Sequence, residues 1–436
     1  MFRLILIISF IAAAAAHSQP LLTLEEAIAT GLKDNYSIQI LRNQEKMAQN
    51  NKGNGTAGFL PTLNLTGGYN KINSNQEVDL PPSKTNTDSD RLDADLTLNW
   101  TIFDGFKMFY DRNKFNAQAD FTKYQVRDQI ENTIVSISQA YYYTVLQDQL
   151  YRISQEIKNI SETRLEREKI RNEIGGASRT DYYNAQVSYN TDQSDLYNQE
   201  LELQIARKQL NILLGRDPNT EFMVSDEIII PELTMAFDEI VNIMQERNSS
   251  LKAAQFNKIY ADNNVKSVHS PFIPRLSLYA NYGYTDLIHN SDAGTYADSD
   301  ITTKTNETQV GLNLSLNLFN GGRDRINLSN AKYEANNSAL ELRDTKNKLQ
   351  GEALEIYNTF NQQMKIAALE EQNVETAKMN LDLQQERNEL GVATSLEFRD
   401  AQVNFARAKT ALFIARYQAR ISRLELEQIT GLIDIE

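Results

Sequence analysis

Apolar and polar residues alternate strictly along Arg91–Gly105, RLDADLTLNWTIFDG. Leu92, Ala94, Leu96, Leu98, Trp100 and Ile102 fall on one side, and Asp93, Asp95, Thr97, Asn99 and Thr101 on the other. A period of two describes a strand with one apolar face. The pattern returns in Thr308–Gly321, TQVGLNLSLNLFNG, through Val310, Leu312, Leu314, Leu316 and Leu318, and adding 216 to each number superimposes the registers. Phe103-Asp104-Gly105 thereby becomes Phe319-Asn320-Gly321, so strand end and turn are both duplicated.

The duplication reaches along the chain. Leu24–Asn51 predicts a helix opened by a Thr23/Glu26 capping box. Phe237–Asn264 copies it at an offset of 213, with Glu239, Asn248, Ala261, Asn263 and Asn264 matching Glu26, Asn35, Ala48, Asn50 and Asn51. Phe59-Leu60-Pro61-Thr62-Leu63-Asn64-Leu65 and Phe272-Ile273-Pro274-Arg275-Leu276-Ser277-Leu278 share Phe, Pro and two alternating Leu. Proline beside the first residue of a strand costs no ladder hydrogen bond, so the expected strands are 59–70, 92–103, 272–285 and 308–319. The polar stretches Lys71–Asp90 and Asp286–Glu307 are expected to be water-exposed hairpin loops. Asp292, Asp298 and Asp300 in the second lack the ordered ligand spacing and following Glu of a calcium loop.

Each second strand leads into a long polar segment with a narrow apolar seam. Val126, Ile130, Ile134, Ile137, Tyr141, Val145 and then Leu150, Ile153, Ile157, Ile160 step by three and four, the spacing of a coiled coil. Residues 106–172 and 322–388 contain no proline and are each 67 long. At ~1.5 Å per residue that is about 100 Å of helix. Return helices are expected over 179–214 and 395–430. Each, stacked end to end with its opening helix, comes close to the length of one long helix. The tips between them, Glu173–Asp181 and Glu389–Glu397, each precede an Ala-Gln-Val, at 185–187 and 401–403. Gly175 or Gly391 can end one helix, and Ser178 or Thr394 can cap the next. The chain thus divides into a first repeat, 19–236, and a second, 237–436.

Residues 1–18 read as a secretory signal peptide, with Arg3, an apolar run Leu4–Ala16, and Ala16-His17-Ser18 before Gln19 as the cleavage site. As a membrane anchor the run falls short of the ~20 residues that span a bilayer. The absence of cysteine excludes disulfides, thiol ligands and an acylated N-terminal Cys. An excess of 58 acidic over 44 basic residues argues against nucleic acid. No nucleophile elbow, phosphate loop or zinc-protease motif is present, so neither an enzyme nor a cofactor is expected.

After Gln19 no apolar run reaches helix-spanning length, so a membrane can be crossed only as strands. Four strands cannot close a barrel, since single-chain outer-membrane barrels start at about eight. Closure must therefore run across copies: two give eight strands, three give twelve with room for a lumen. A cyclic trimer is the expected assembly and a dimer the alternative. In another class stands a secreted coiled-coil structural or adhesive protein, against which the four alternating segments speak.

The duplicated series of helix, F-x-P-x-L strand, hairpin, F-D/N-G turn, long helix, G-x-x-S/T tip and return helix resembles the TolC family of outer-membrane efflux proteins over essentially the whole mature chain. The resemblance implies a mixed α/β membrane protein, a trimeric twelve-stranded antiparallel β-barrel in the outer membrane of a Gram-negative bacterium. A long coiled-coil α-barrel would continue it through the periplasm. It also implies docking of a periplasmic adaptor, itself driven by an inner-membrane pump or ABC exporter. Adaptor contact would fall on Gly175, Ala177, Ser178 and Thr180, and on Gly391, Val392, Thr394 and Leu396. The family's acidic constriction would fall on Glu397 and Asp400, joined by Asp181 at the first-repeat position equivalent to Glu397. As residues of a first helical turn, these carboxylates also favour the macrodipole, so ordinary capping is the competing reading. Asn388 and Ala393 stand where the family's gate-locking tyrosine and arginine would be expected, so the chain departs from that lock at both positions.

Overall fold

The computed structural model describes residues 21–79, 82–175, 178–225, 227–291, 300–390 and 392–433. The chain forms two units, one of residues 1–39, 128–248 and 348–436, the other of residues 40–127 and 249–347.

The second unit holds a four-stranded antiparallel sheet in the order β1 (Thr62–Asp79), β2 (Pro82–Asp104), β3 (Arg275–Ser291), β4 (Ile301–Ser315). Its register sets apolar against apolar. Leu63 faces Leu98, which faces Ala280, which faces Val310. Trp100 faces Leu278 and, beyond it, Leu312. The polar rows bond across the strands, as where Thr97 Oγ1 donates to Asn281 Oδ1 at 2.9 Å.

Two expectations need correction here. Within the stretches 71–90 and 286–307, residues 71–79, 82–90, 286–291 and 301–307 are strand: pairing runs out to Asp79↔Pro82 in the first hairpin and His289↔Ile301 in the second. Backbone ladders need no alternation of side chains, and Thr85, Thr87, Thr302, Thr303 and Thr305 are β-branched residues that fit a pleated surface even where water wets both faces. Asp300 accepts from Asn290 at 3.1 Å, while Asp292 and Asp298 lie outside the described residues. At the other end three of the four expected strands are too long, while β2 runs one residue further, to Asp104. Pairing starts at Thr62 and Arg275, after Pro61 and Pro274, and stops at Arg275↔Ser315, which leaves Leu318 and Phe319 unpaired and exposed.

The F-D/N-G turns end in helix caps. Asp104 Oδ1 accepts from Met108 N at 3.1 Å to open α3 (Lys107–Glu173), and Asn320 Oδ1 accepts from Asp324 N at 3.4 Å to open α7 (Arg323–Glu389). Gly105 has φ +68°, and a Cβ there would stand 2.7 Å from the carbonyl oxygen of Ser270, so the turn requires glycine.

The opening helices are each broken in two, another departure from the single helices expected. α1 (Leu24–Asp34) and α2 (Tyr36–Asn50) meet at Asn35; α5 (Phe237–Arg247) and α6 (Ser249–Val268) meet at Asn248. Both asparagines spend their side chains on backbone: Asn35 Oδ1 accepts from Ile38 N at 3.1 Å, and Asn248 Nδ2 donates to Ile429 O at 3.0 Å. The Asn35 bond is the local competition with the helix ladder that makes Asn sit poorly inside helices, whereas the Asn248 bond reaches a distant helix end.

The helical unit buries the α3 seam. Ile134, Ile137, Tyr141, Val145, Ile153 and Ile157 are all buried, and Ile137, Tyr141 and Val145 pack against Leu22, Ala27, Leu210, Leu214 and Phe222. α4 (Arg179–Leu213) and α8 (Ser395–Ile429) are the return helices.

Candidate functional site at the hairpin tips

The first tip closes with Gly175 at φ +77° and its N–H on Asn172 O at 3.2 Å. A Cβ at Gly175 would meet nothing within 4 Å, so the glycine is there for backbone conformation and not for space. Ser178 caps α4: its Oγ accepts from Asp181 N at 3.1 Å and donates to Asp181 Oδ2 at 2.7 Å. Thr180 is exposed. Ala177 and Gly391 lie outside the described residues.

The second tip is more apolar. Leu390, Val392 and Leu396 are 73%, 67% and 69% exposed, a concentration of bare aliphatic surface at a loop. Thr394 caps α8 with a full capping box, accepting from Glu397 N at 3.2 Å while its own N–H and hydroxyl donate to Glu397 Oε2 at 2.7 and 2.9 Å. The N–H and hydroxyl of Thr394 hold the Glu397 carboxyl below the usual glutamate range. Glu397 is therefore engaged by its own helix end, and Asp181 by Ser178, whereas Asp400 is exposed. No hydrogen bond joins Asp181 to Glu397 or Asp400 among the described residues.

Asn388, only 3% exposed, ties this tip to α3. Its Nδ2 donates to Ala393 O at 3.2 Å, and its Oδ1 accepts from Arg167 Nη1 at 2.8 Å. Asn388 and Ala393 are thus bonded to each other and, through Arg167, to the neighbouring long helix.

Behind the tips lies a buried polar set that sequence reasoning missed. Arg399 of α8 makes a two-pronged ion pair with Asp192 of α4, Nη1 to Oδ2 at 2.6 Å and Nη2 to Oδ1 at 2.7 Å. Ser161 of α3 also donates to Asp192 Oδ2. Gln402, fully buried, donates to Ile157 O at 2.8 Å and Ser161 Oγ at 3.2 Å. Three helices meet on one carboxylate. The available signal was that the α3 seam continues past Ile157 as Ser161, Arg164 and Glu168, still stepping by four and three but now in polar residues, all of them buried. Gln402 and Gln186 occupy equivalent places in the duplicated Ala-Gln-Val, yet Gln186 is exposed.

Among the described residues no helix is long and apolar enough to cross a membrane, and no group of three or more His, Cys, Asp or Glu is placed to hold a metal. An internally duplicated chain with a one-sided apolar sheet and paired long-helix hairpins has the protomer architecture of an outer-membrane channel. Residues 28–216 and 240–432 match the outer membrane efflux protein family, once for each repeat, and the chain belongs to that family. It is 23% identical over 379 residues to the outer membrane protein TolC of Vibrio cholerae, covering 86% of this chain and 83% of that protein. Its fold is that of the Campylobacter jejuni CmeC outer membrane channel, with TM-score 0.79, 15% identity, and coverage of 94% of this chain and 85% of that one. The Vibrio cholerae outer membrane protein VceC is similar as well, with TM-score 0.76, 18% identity, and coverage of 94% and 96%. The chain is an outer-membrane protein of an efflux-channel family.

Proposed function

We propose that this chain is the outer-membrane channel of a tripartite efflux or type I secretion system, a passive duct made of three copies. The sheet carries the reading. Leu63, Leu65 and Tyr69 of β1, Leu96 and Trp100 of β2, and Val310, Leu312 and Leu314 of β4 stand exposed on strands whose registers align their apolar rows. Such a surface is stable against lipid and not against water. β1 and β4 are the sheet's edges, and unpaired edge groups in hydrocarbon cost several kcal/mol each. Twelve strands from three copies remove every edge and leave a lumen behind the Asp95, Thr97 and Asn281 face. Leu354, Leu369 and Leu383 of α7, 45%, 61% and 53% exposed, likewise call for helices of another copy.

In this reading the tips Gly175–Thr180 and Gly391–Leu396 receive a periplasmic adaptor, which an inner-membrane pump or ABC exporter drives. Asp181, Glu397 and Asp400 line a narrow cation-attracting opening. The test is to extract the protein from outer membranes, cross-link it, and record it in planar bilayers. Three-copy species with stepwise conductance are expected. A detergent-independent monomer without conductance would overturn the proposal.

A further inference from the structure

Arg164 of α3 is 3% exposed, and its Nε and Nη1 have no hydrogen-bond partner. Burial pulls its guanidinium below the usual arginine range and the charge of Arg399 adds to this, while Asp192 and Glu168 oppose it. Those two acids are engaged by other bases, Asp192 by Arg399 at 2.6 Å and Glu168 by Arg171 at 3.4 Å. The other acids nearby are engaged too: Glu156 by Lys409 at 2.7 Å and Glu389 by Arg167 at 3.4 Å. Among the described residues Arg164 itself forms no ion pair.

Its side chain lines a cavity of about 540 Å³ together with Thr163 and Arg167 of α3, Gln385 of α7 and Phe398 of α8. Glu156 of α3 also lines it, an acceptor already held by Lys409 at 2.7 Å, while Arg152, Asn159 and the other polar groups there can donate; the space exceeds that of many waters at ~30 Å³ each. Water would satisfy the N–H groups but would bring no negative charge to a guanidinium whose neighbouring carboxylates are already paired with other bases. An oxyanion would meet both needs, because guanidinium groups are suited to carboxylate and phosphate oxygens.

We propose that this cavity is a binding site for a small oxyanion of carboxylate or phosphate type, received by Arg164 and flanked by Arg167, Thr163 and Gln385. The occupant bridges α3, α7 and α8.

The test is calorimetric titration of the detergent-solubilised full chain with sodium phosphate and, separately, sodium acetate, at constant ionic strength. Saturable binding of one or both is expected, and the tighter anion assigns the class. Arg164→Met should weaken it about tenfold or more, a loss of ~1.4 kcal/mol or more, and Arg164→Lys, which keeps the charge and the fold, should weaken it severalfold. Absence of saturable binding to the wild-type chain overturns the proposal. So does unchanged binding in Arg164→Lys and Arg164→Met. If Arg164→Met weakens the association of copies while wild type shows no anion dependence, the missing partner is a carboxylate of a second copy and the proposal falls.

Discussion

Arg399 and Asp192 lie on different helical hairpins, and the guanidinium of one grips both carboxylate oxygens of the other at 2.6 and 2.7 Å, with Asp192 only 4% exposed. The pair couples α8 to α4 behind the tips, and Ser161 adds α3 to the same carboxylate. Removing one member of a buried pair costs roughly 3–5 kcal/mol because the other charge is stranded. Arg399 retains some solvent access, so the lower end applies. Asp192→Leu should therefore lower unfolding stability by about 3 kcal/mol, and more than Arg399→Met, because Asp192 also faces Arg164. The double variant should recover much of the loss. Chemical denaturation of the four proteins forms the cycle that measures it, and strictly additive losses would show that the two charges are not coupled.

Thr394→Ala removes the capping box of α8. The expected loss is about 1 kcal/mol, read as faster hydrogen exchange in the first turn of that helix. The sign of its pH dependence follows from Glu397. The folded-state carboxyl is held below its unfolded value by the Thr394 N–H and hydroxyl. Its stabilisation is therefore complete above the ordinary glutamate value of the unfolded chain and is lost as pH falls through the lower folded one. Thr394→Ala loses the hydroxyl's share of this and keeps the N–H's, so the stability gap to wild type should be widest at neutral pH and narrow, without closing, at acid pH.

Among the three acidic residues assigned to the opening, Asp400 is exposed, whereas Glu397 and Asp181 are occupied by caps. Asp400→Asn should lower cation preference more than Glu397→Gln does, and the double variant should differ little from Asp400→Asn alone. Reversal potentials under a salt gradient measure this. Equal selectivity in all variants would remove these carboxylates from the pore.

Gly175→Pro combined with Gly391→Pro should abolish export while leaving the assembled protein in the outer membrane. Proline cannot adopt the +77° φ that Gly175 holds, and the tip surface offered to an adaptor would be displaced. Drug susceptibility together with immunoblots of outer membranes would check it, and unchanged tolerance would place docking elsewhere. Gly175→Ala is the milder companion: no atom crowds its Cβ, so its cost is backbone strain of about 1 kcal/mol.

The sequence by itself determined the apolar strand face, the two 67-residue helices and the tip caps, because each rests on local spacing within a few residues, and the repeats, because the same local patterns recur at offsets of 213 and 216. Phe103-Asp104-Gly105 and Phe319-Asn320-Gly321 could be matched by eye, and Asp104 and Asn320 both open helices. What only the tertiary structure decided depends on partners far apart in the chain. The polar residues 71–79, 82–90, 286–291 and 301–307 are strand because each finds an antiparallel partner in register. Asn35 and Asn248 break their helices by bonding backbone, and for Asn248 that backbone is 181 residues away. Asp192, Arg399, Ser161 and Arg164 meet only when three helices pack, and a charged residue at a seam position looks like solvated surface until the helix that covers it is known.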